Sequence, residues 1–430
     1  MFMLLLGLMA CQSPTEEPLE DVISCEGLVW PTQIDSAQGA VVVADTGRGQ
    51  VLVVDRVGNS LGGMCMASIL PDDCQGTRAD GSASCHVFDV TFEQDGMLLS
   101  YSSADTTSGI FYYNPSSQQL DWRIEGLRFQ EADPLLATCL VPNNGEPLCR
   151  LRMPHAARWT LDGQALVVAD TLNNRVLFLD PPVDGLSEVK FVLDDATSGW
   201  GAARWPNGVS VMESPEGRMS LLVTYKGSDP VRSGDSLAGR IMLWDIDDVM
   251  DPDWVWAFPE EGYLAAVHNG QVQPLPDGRL ALVYSHSLGA GFDFGEGGQG
   301  SVGLGLMSFE ESPTYISDLV ASGPRPLGFV RDAEFIGDSG RVLITDSGCE
   351  RPSIDCEKTA RLLELEFEMP EIVGLSGAFS GDHEQQQFQF LSPIGGEYKT
   401  VLSFPFEADV VDIAGSDSEL SVSVSGVFDE

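Results

Sequence analysis

Residues 161–180 read LDGQALVVADTLNNRVLFLD, and this stretch decides the fold. Asp162-Gly163 sets a tight turn, residues 165–169 are an apolar run of strand length, residues 170–174 make a polar turn, and residues 176–179 are apolar again. Short Val-rich runs bounded by Asp, Asn and Gly signal a hairpin. Arg175 is placed to reach back across the turn to Asp170. A single hairpin cannot bury both of its faces, so the unit has to recur.

It does recur. Residues 39–55 read GAVVVADTGRGQVLVVD, and residues 340–365 read GRVLITDSGCERPSIDCEKTARLLEL, the same unit with a larger middle turn. Weaker copies occupy residues 95–114, 217–245 and 277–309. The turn glycines Gly39, Gly96, Gly163, Gly217, Gly278 and Gly340 follow one another at 57, 67, 54, 61 and 62 residues. An apolar segment precedes each turn, so each unit holds at least three strands with room for a fourth. Four-stranded units repeating at this period indicate a β-propeller. The expectation is an all-β chain: a six-bladed propeller over residues 30–367, with Asp45, Asp170 and Asp346 at equivalent turns. Residues 368–430 are expected to add strands that close or extend it. No stretch reads as a long amphipathic helix.

VVADTLNNRVLFLD, residues 167–180, resembles an NHL-type propeller repeat, whose pattern is Asp-(Thr/Ser), a polar turn, Asn-x-Arg and an apolar strand. The match is fuller there than at residues 45–55, and it is interrupted at 346–365. HNGQVQPLPDGRLALVYS, residues 268–285, resembles the His-containing blade segment of bacterial arylsulfotransferase-like propellers. The first resemblance implies the fold. It also implies a metal on channel histidines, which some NHL-type propellers carry. The second implies sulfuryl transfer in a channel lined by His and Arg, with one His taking up the group. Here the last blade offers Arg331 and no His at the equivalent place, so the nucleophile has no assignment.

The N-terminus reads as a targeting segment. Residues 2–10 are apolar but too short to span a bilayer as a helix. Leu8-Met9-Ala10-Cys11 fits a lipobox, although no Lys or Arg precedes it. Residues 1–10 are then a lipoprotein signal peptide, Cys11 the lipidated residue, and residues 11–29 an acidic tether. An ordinary signal peptide with an incidental Cys11 is the other reading. Eight further cysteines, an even number in an exported chain, imply disulfides. Proximity in sequence pairs Cys349 with Cys356, Cys139 with Cys149 and Cys65 with Cys74, leaving Cys25 with Cys85.

Net charge is −42, from 65 acidic and 23 basic residues. Such a surface repels phosphate backbones and anionic lipid, so nucleic acid is not a partner and membrane contact runs only through the lipid anchor. Residues 245–253 (DIDDVMDPD) lack the Gly and Glu of a calcium loop. Gly58-Asn59-Ser60-Leu61-Gly62 matches G-x-S-x-G by letter but sits between strands, not at a strand-to-helix elbow.

Candidate chemistry rests on the five histidines. His86, His155 and His268 stand 10, 8 and 10 residues before their turn glycines, where the first strand of each unit begins. Asn207 and Arg331 hold that place in the fourth and sixth copies, and Thr32 or Gln33 in the first. First strands line a propeller's channel, so these positions converge on one mouth. In one reading, His86, His155, His268, Asn207 and His286 bind a small ligand, an anion or a divalent metal such as Zn, Cu or Ca. In a second, His155, His268 and Arg331 are catalytic, with a His as nucleophile or base and Arg331 holding the anion. In a third, these side chains only satisfy backbone groups and channel water in a non-catalytic scaffold for protein or polysaccharide. If protonated histidines hold an anion, binding weakens as pH rises past about 6.5. The expected protein is a monomeric bacterial lipoprotein of the cell envelope, in the periplasm or on the outer surface. Its partner is a small molecule or an envelope component. His383 falls in an acidic tail loop.

Overall fold

A computed structural model of the chain describes residues 30–366 apart from stretches between strands, the longest at 130–148, 194–204, 228–238, 289–298 and 349–359, together with 406–415 and 423–428. Cys11, Cys25, Cys139, Cys349, Cys356 and His383 lie outside the described residues.

The described strands form six sheets in chain order. The first holds β1 (Pro31–Ala37), β2 (Ala40–Asp45), β3 (Gln50–Asp55) and β4 (Ser60–Cys65), followed by a single helical turn, α1 (Met66–Ile69). The second holds β5 (Cys85–Glu93), β6 (Gly96–Ser103), β7 (Ser108–Asn114) and β8 (Gln119–Arg123). In the third, β10 (Pro154–Trp159), β11 (Leu166–Asp170), β12 (Arg175–Leu179) and β13 (Leu186–Leu193) are joined by β9 (Gly126–Phe129), which runs parallel to β13. The fourth holds β14 (Pro206–Glu213), β15 (Met219–Tyr225), β16 (Arg240–Asp245) and β17 (Asp253–Phe258). The fifth holds β18 (Gly270–Pro274), β19 (Leu280–Leu288), β20 (Gln299–Met307) and β21 (Thr314–Leu319). The last holds β22 (Val330–Phe335), β23 (Arg341–Asp346), β24 (Arg361–Glu366), β25 (Phe406–Gly415) and β26 (Ser423–Phe428).

The architecture is a β-propeller. Five sheets contain a four-stranded antiparallel meander drawn from residues 31–319, while the last is five-stranded and takes its outer two strands from beyond residue 405. Five such blades are found where six were expected, because the last sheet is completed by strands from the C-terminal segment and not from residues 30–367. Among the described residues no strand from ahead of β1 joins that sheet, and β1 is the innermost strand of the first sheet. β22 packs directly on β1 instead. Val, Leu and Ile of the middle strands fill the space between neighbouring sheets: Val167, Val176 and Phe178 of the third cluster with Val209, Leu221 and Val223 of the fourth.

A first strand has a sheet partner on one edge only, so its other edge would leave backbone groups unpaired. Side chains of the preceding sheet meet that demand at every seam. Asp35 accepts from Phe92 N (2.6 Å), Asp89 from Ala157 N (2.8 Å), Gln271 from Phe335 N (2.5 Å) and Asp332 from Ile34 N (2.9 Å). Thr171 Oγ1 donates to Pro206 O (2.6 Å) and Thr224 Oγ1 to His268 O (3.0 Å).

The Asp-Thr signature has a structural role. Asp45, Asp170 and Asp346 end the second strands of their sheets, all buried. Each accepts a backbone N–H from ahead of its own first strand: Trp30 (2.8 Å), Arg152 (2.7 Å) and Phe329 (2.8 Å). Arg175 Nε donates to Asp170 Oδ2 at 2.8 Å, as the turn sequence implies.

The cysteine pairing by proximity fails for two of the expected pairs, Cys65–Cys74 and Cys25–Cys85. Cys74 bonds Cys85, with Cα atoms 5.0 Å apart. Cys65 is also disulfide-bonded, so its partner is neither of these. The physical reason is α1: it turns the chain after Cys65, and Cys74 N bonds back to Leu70 O, which brings Cys74 to the start of β5. Cys149 is disulfide-bonded too. Leu127 and Cys149 exchange backbone hydrogen bonds across the stretch 130–148, which lies outside the described residues.

Candidate functional site

Five of the first strands carry a β-bulge near their start. The residues skipped by the sheet register are Thr32, Phe88, His155, Asn207 and Arg331. His268 holds the corresponding place just before β18. A bulge turns its extra residue out of the ladder. Here it turns a ring of side chains to one mouth of the channel. A cavity of about 20 Å³ opens there, lined by Trp30, Thr32, Gln33, Phe88, His155, Asn207, His268 and Arg331. That is room for about one water-sized group.

Four of the five expected ring members are thus brought together, and His86 is not. Phe88 takes its place. His86 stands two residues earlier, where Trp30, Trp205 and Phe329 stand relative to their own ring residues. It is buried, with Nε2 3.1 Å from Ser82 Oγ. His286 is buried in β19 beside Tyr284 and is not part of the cavity wall. The three histidines expected together therefore do not share one wall, and among the described residues no three His, Cys, Asp or Glu side chains are grouped to hold a metal.

The site is built around Arg331. Its guanidinium carbon lies 4.2 Å from the ring centroids of both Trp30 and Phe329, a double cation–π clamp that fixes its orientation. Its Nη1 lies 3.4 Å from His268 Nδ1, and Asn207 Nδ2 lies 3.0 Å from the same nitrogen. Guanidinium can only donate, so Nδ1 accepts and the proton of neutral His268 sits on Nε2. That Nε2 is buried and has no hydrogen-bond partner in the protein, and neither has Gln33 Nε2. Both residues line the cavity. His155 stacks on Phe88 with ring centroids 4.3 Å apart.

Both histidines are neutral. Burial, then the charges of Lys226 and Arg331, push His155 down to about 3. Burial and Arg331 hold His268 well below its ordinary value. The expected loss of anion affinity above about pH 6.5 therefore has no protonated histidine to cause it.

Below the mouth lies a buried charge cluster that motif reading missed. Asp35 (β1), Asp89 and Glu93 (β5), Asp332 and Glu334 (β22) lie around Arg158 (β10), the one cation among the described residues that acts on all five. Arg158 Nη1 pairs with Asp89 at 2.7 Å, and Nη2 lies 3.9 Å from Glu334. The third and last sheets stand three places apart around the ring, so the guanidinium reaches over the channel. Burial, the largest influence on each, raises Asp332 to about 7 and Asp35 to about 6, and holds Glu334 well above the usual carboxylate range. The available signal was charge alternating along first strands, as in Asp35, Asp89, Arg158, Asp332 and Glu334, but it is visible only once those strands are aligned by register.

No protein-family model matches the chain, and no characterised protein matches it by sequence. Solved structures do match by shape. Hydrazine synthase from Kuenenia stuttgartiensis is similar at TM-score 0.51 and 12% identity, over 96% of this chain and 100% of that one. A hypothetical selenium-binding protein from Sulfolobus tokodaii is similar at 0.46 and 13%, over 79% and 78%. A putative 6-phosphogluconolactonase from Bacteroides uniformis is similar at 0.43 and 12%, over 81% and 84%. At 12% identity the first of these speaks for a shared fold alone. No family match supports the NHL-type or arylsulfotransferase-like assignment.

Proposed function

We propose that this protein is a ligand-binding propeller whose channel mouth takes the anionic terminal group of a small molecule or envelope component. The observation that carries it is the wall of the cavity. A clamped guanidinium and two buried donors without hydrogen-bond partners among the described residues, His268 Nε2 and Gln33 Nε2, face a space that no described Asp or Glu lines. Buried donors without partners are rare in native proteins and ask for an acceptor. In a chain of net charge −42, a cationic pocket stands out against a field that otherwise repels anions. The cavity's size suits one or two oxygens of a carboxylate or sulfate, with the rest of the ligand outside. Transfer chemistry has less support, since His268 offers no free lone pair for attack.

The test is thermal unfolding and calorimetry of tag-free protein with sodium sulfate, sodium acetate and an aryl sulfate, in wild type and Arg331→Gln. A ligand at ten times its Kd adds about 1.4 kcal/mol of stability. Wild type should gain this from at least one probe, and Arg331→Gln should lose it. Equal stabilisation of both proteins, or of neither, would refute the pocket. Metal analysis of the same sample checks the metal reading independently.

A further inference from the structure

We propose that an anion entering the mouth pocket is taken up together with one proton from solvent, and that the carboxylates of the layers beneath, Asp332 and Glu334 foremost, accept it. This rests on the anion pocket proposed above. It starts from a charge count. Asp35, Asp89, Glu93, Asp332 and Glu334 are five carboxylates with one guanidinium, Arg158, among them. Asp89, Asp332 and Glu334 are buried. Buried like charges cannot all ionise when one cation serves them, so the cluster already holds protons near neutrality.

The cluster and the pocket share a strand and a contact. Arg331 and Asp332 are consecutive residues of β22. Asn269, next to pocket residue His268, donates its Nδ2 to Asp332 Oδ1, and Asp332 also accepts from Ile34 N and Ala333 N. An anion on Arg331 cancels the nearest positive charge on the mouth side and sets a negative one in its place. Both changes disfavour ionised carboxylates, so a proton moves from solvent onto a carboxylate oxygen. The other charged or titratable groups around this cluster are His155 on β10, His268 ahead of β18, His286 on β19 and Lys226 after β15. Asp332, near 7, and Asp35, near 6, are poised to respond in the neutral range, whereas His155, near 3, is not.

The experiment is a pH-stat titration of the full chain with sodium sulfate at pH 7, without buffer, paired with calorimetric affinities at pH 6, 7 and 8.5. Sulfate cannot itself carry the proton at these values. The expected result is roughly half to one proton taken up per sulfate bound. Affinity should fall by up to about tenfold per pH unit above pH 7, the limit for one linked proton. Glu334→Gln removes a like charge from the cluster and touches no pocket atom. It should bind sulfate at pH 7 with the uptake at least halved, and Asp35→Asn provides a second variant should the first not fold. Binding with no uptake overturns this inference and leaves the pocket standing. Uptake that is undiminished in both carboxylate variants and lost in His155→Gln overturns it as well, because the histidine is then the acceptor. Absence of sulfate binding in the wild type overturns the pocket and the coupling together.

Discussion

Replacing Arg158 by Met removes the one cation described in the buried carboxylate cluster while keeping an unbranched apolar stem. Arg158 is 14% and Asp89 1% exposed, and they pair at 2.7 Å. At an effective dielectric of about 20, charges about 4 Å apart attract by about 4 kcal/mol. Breaking a buried pair from one side costs about 3–5 kcal/mol. The full cost should appear at pH 8, where the cluster is most ionised. The sign follows from Asp332, whose folded pKa is raised from 3.8 to about 7. A raised carboxylate gives stability that is fully present below its unfolded pKa and is lost as pH rises through its folded one. For Asp332 the amount is roughly 4 kcal/mol. Removing Arg158 raises the cluster's pKa values further, so the variant's deficit must grow with pH. His155, lowered to about 3, acts in the opposite direction, losing stability as pH falls below about 6.5, and it does so in both proteins. The assay is urea unfolding followed by tryptophan fluorescence at pH 5 and pH 8. The deficit should be about 3–5 kcal/mol at pH 8 and under about 2 at pH 5. Equal deficits would assign the loss to packing, and a larger one at pH 5 would refute the electrostatic reasoning. Glu334→Gln is the converse. It should gain about 1–2 kcal/mol at pH 8, since it relieves repulsion among buried like charges that share Arg158, and little at pH 5.

Arg175→Met leaves Asp170, buried and bonded to Arg152 N and Asn173 Nδ2, without its cation. Urea unfolding should show a loss of about 3–5 kcal/mol, and a loss below about 1 would mean the other hydrogen bonds suffice. Cys74→Ser with Cys85→Ser opens a link spanning 11 residues and should lower stability by about 2–3 kcal/mol. Non-reducing peptide mapping of the wild type should return the Cys74–Cys85 pair, and a Cys65–Cys74 peptide would contradict the arrangement around α1.

What the sequence determined by itself was local. Alternating apolar runs, Asp-Gly turns and the Asp170–Arg175 pair depend on residues within one hairpin, and there propensity and side-chain reach decide the outcome. The propeller class followed because a hairpin with two apolar faces needs identical neighbours. The turn glycine, however, was a poor ruler for the ring. First strands differ in length, so Thr32, Phe88, His155, Asn207, His268 and Arg331 stand 7, 8, 8, 10, 10 and 9 residues before their glycines. No count along the chain separates His86 from Phe88; strand pairing and the bulge put Phe88 at the ring position. The tertiary structure alone decided the rest. Ring closure brings Asp332 to Ile34 and carries Arg158 toward Glu334, contacts between residues hundreds of positions apart or on opposite sheets. It also sets half-buried His155 and buried His268 in one pocket with Arg331, which disfavours their protonation. Burial and neighbouring charge set a pKa, and neither is a property of the residue's place along the chain.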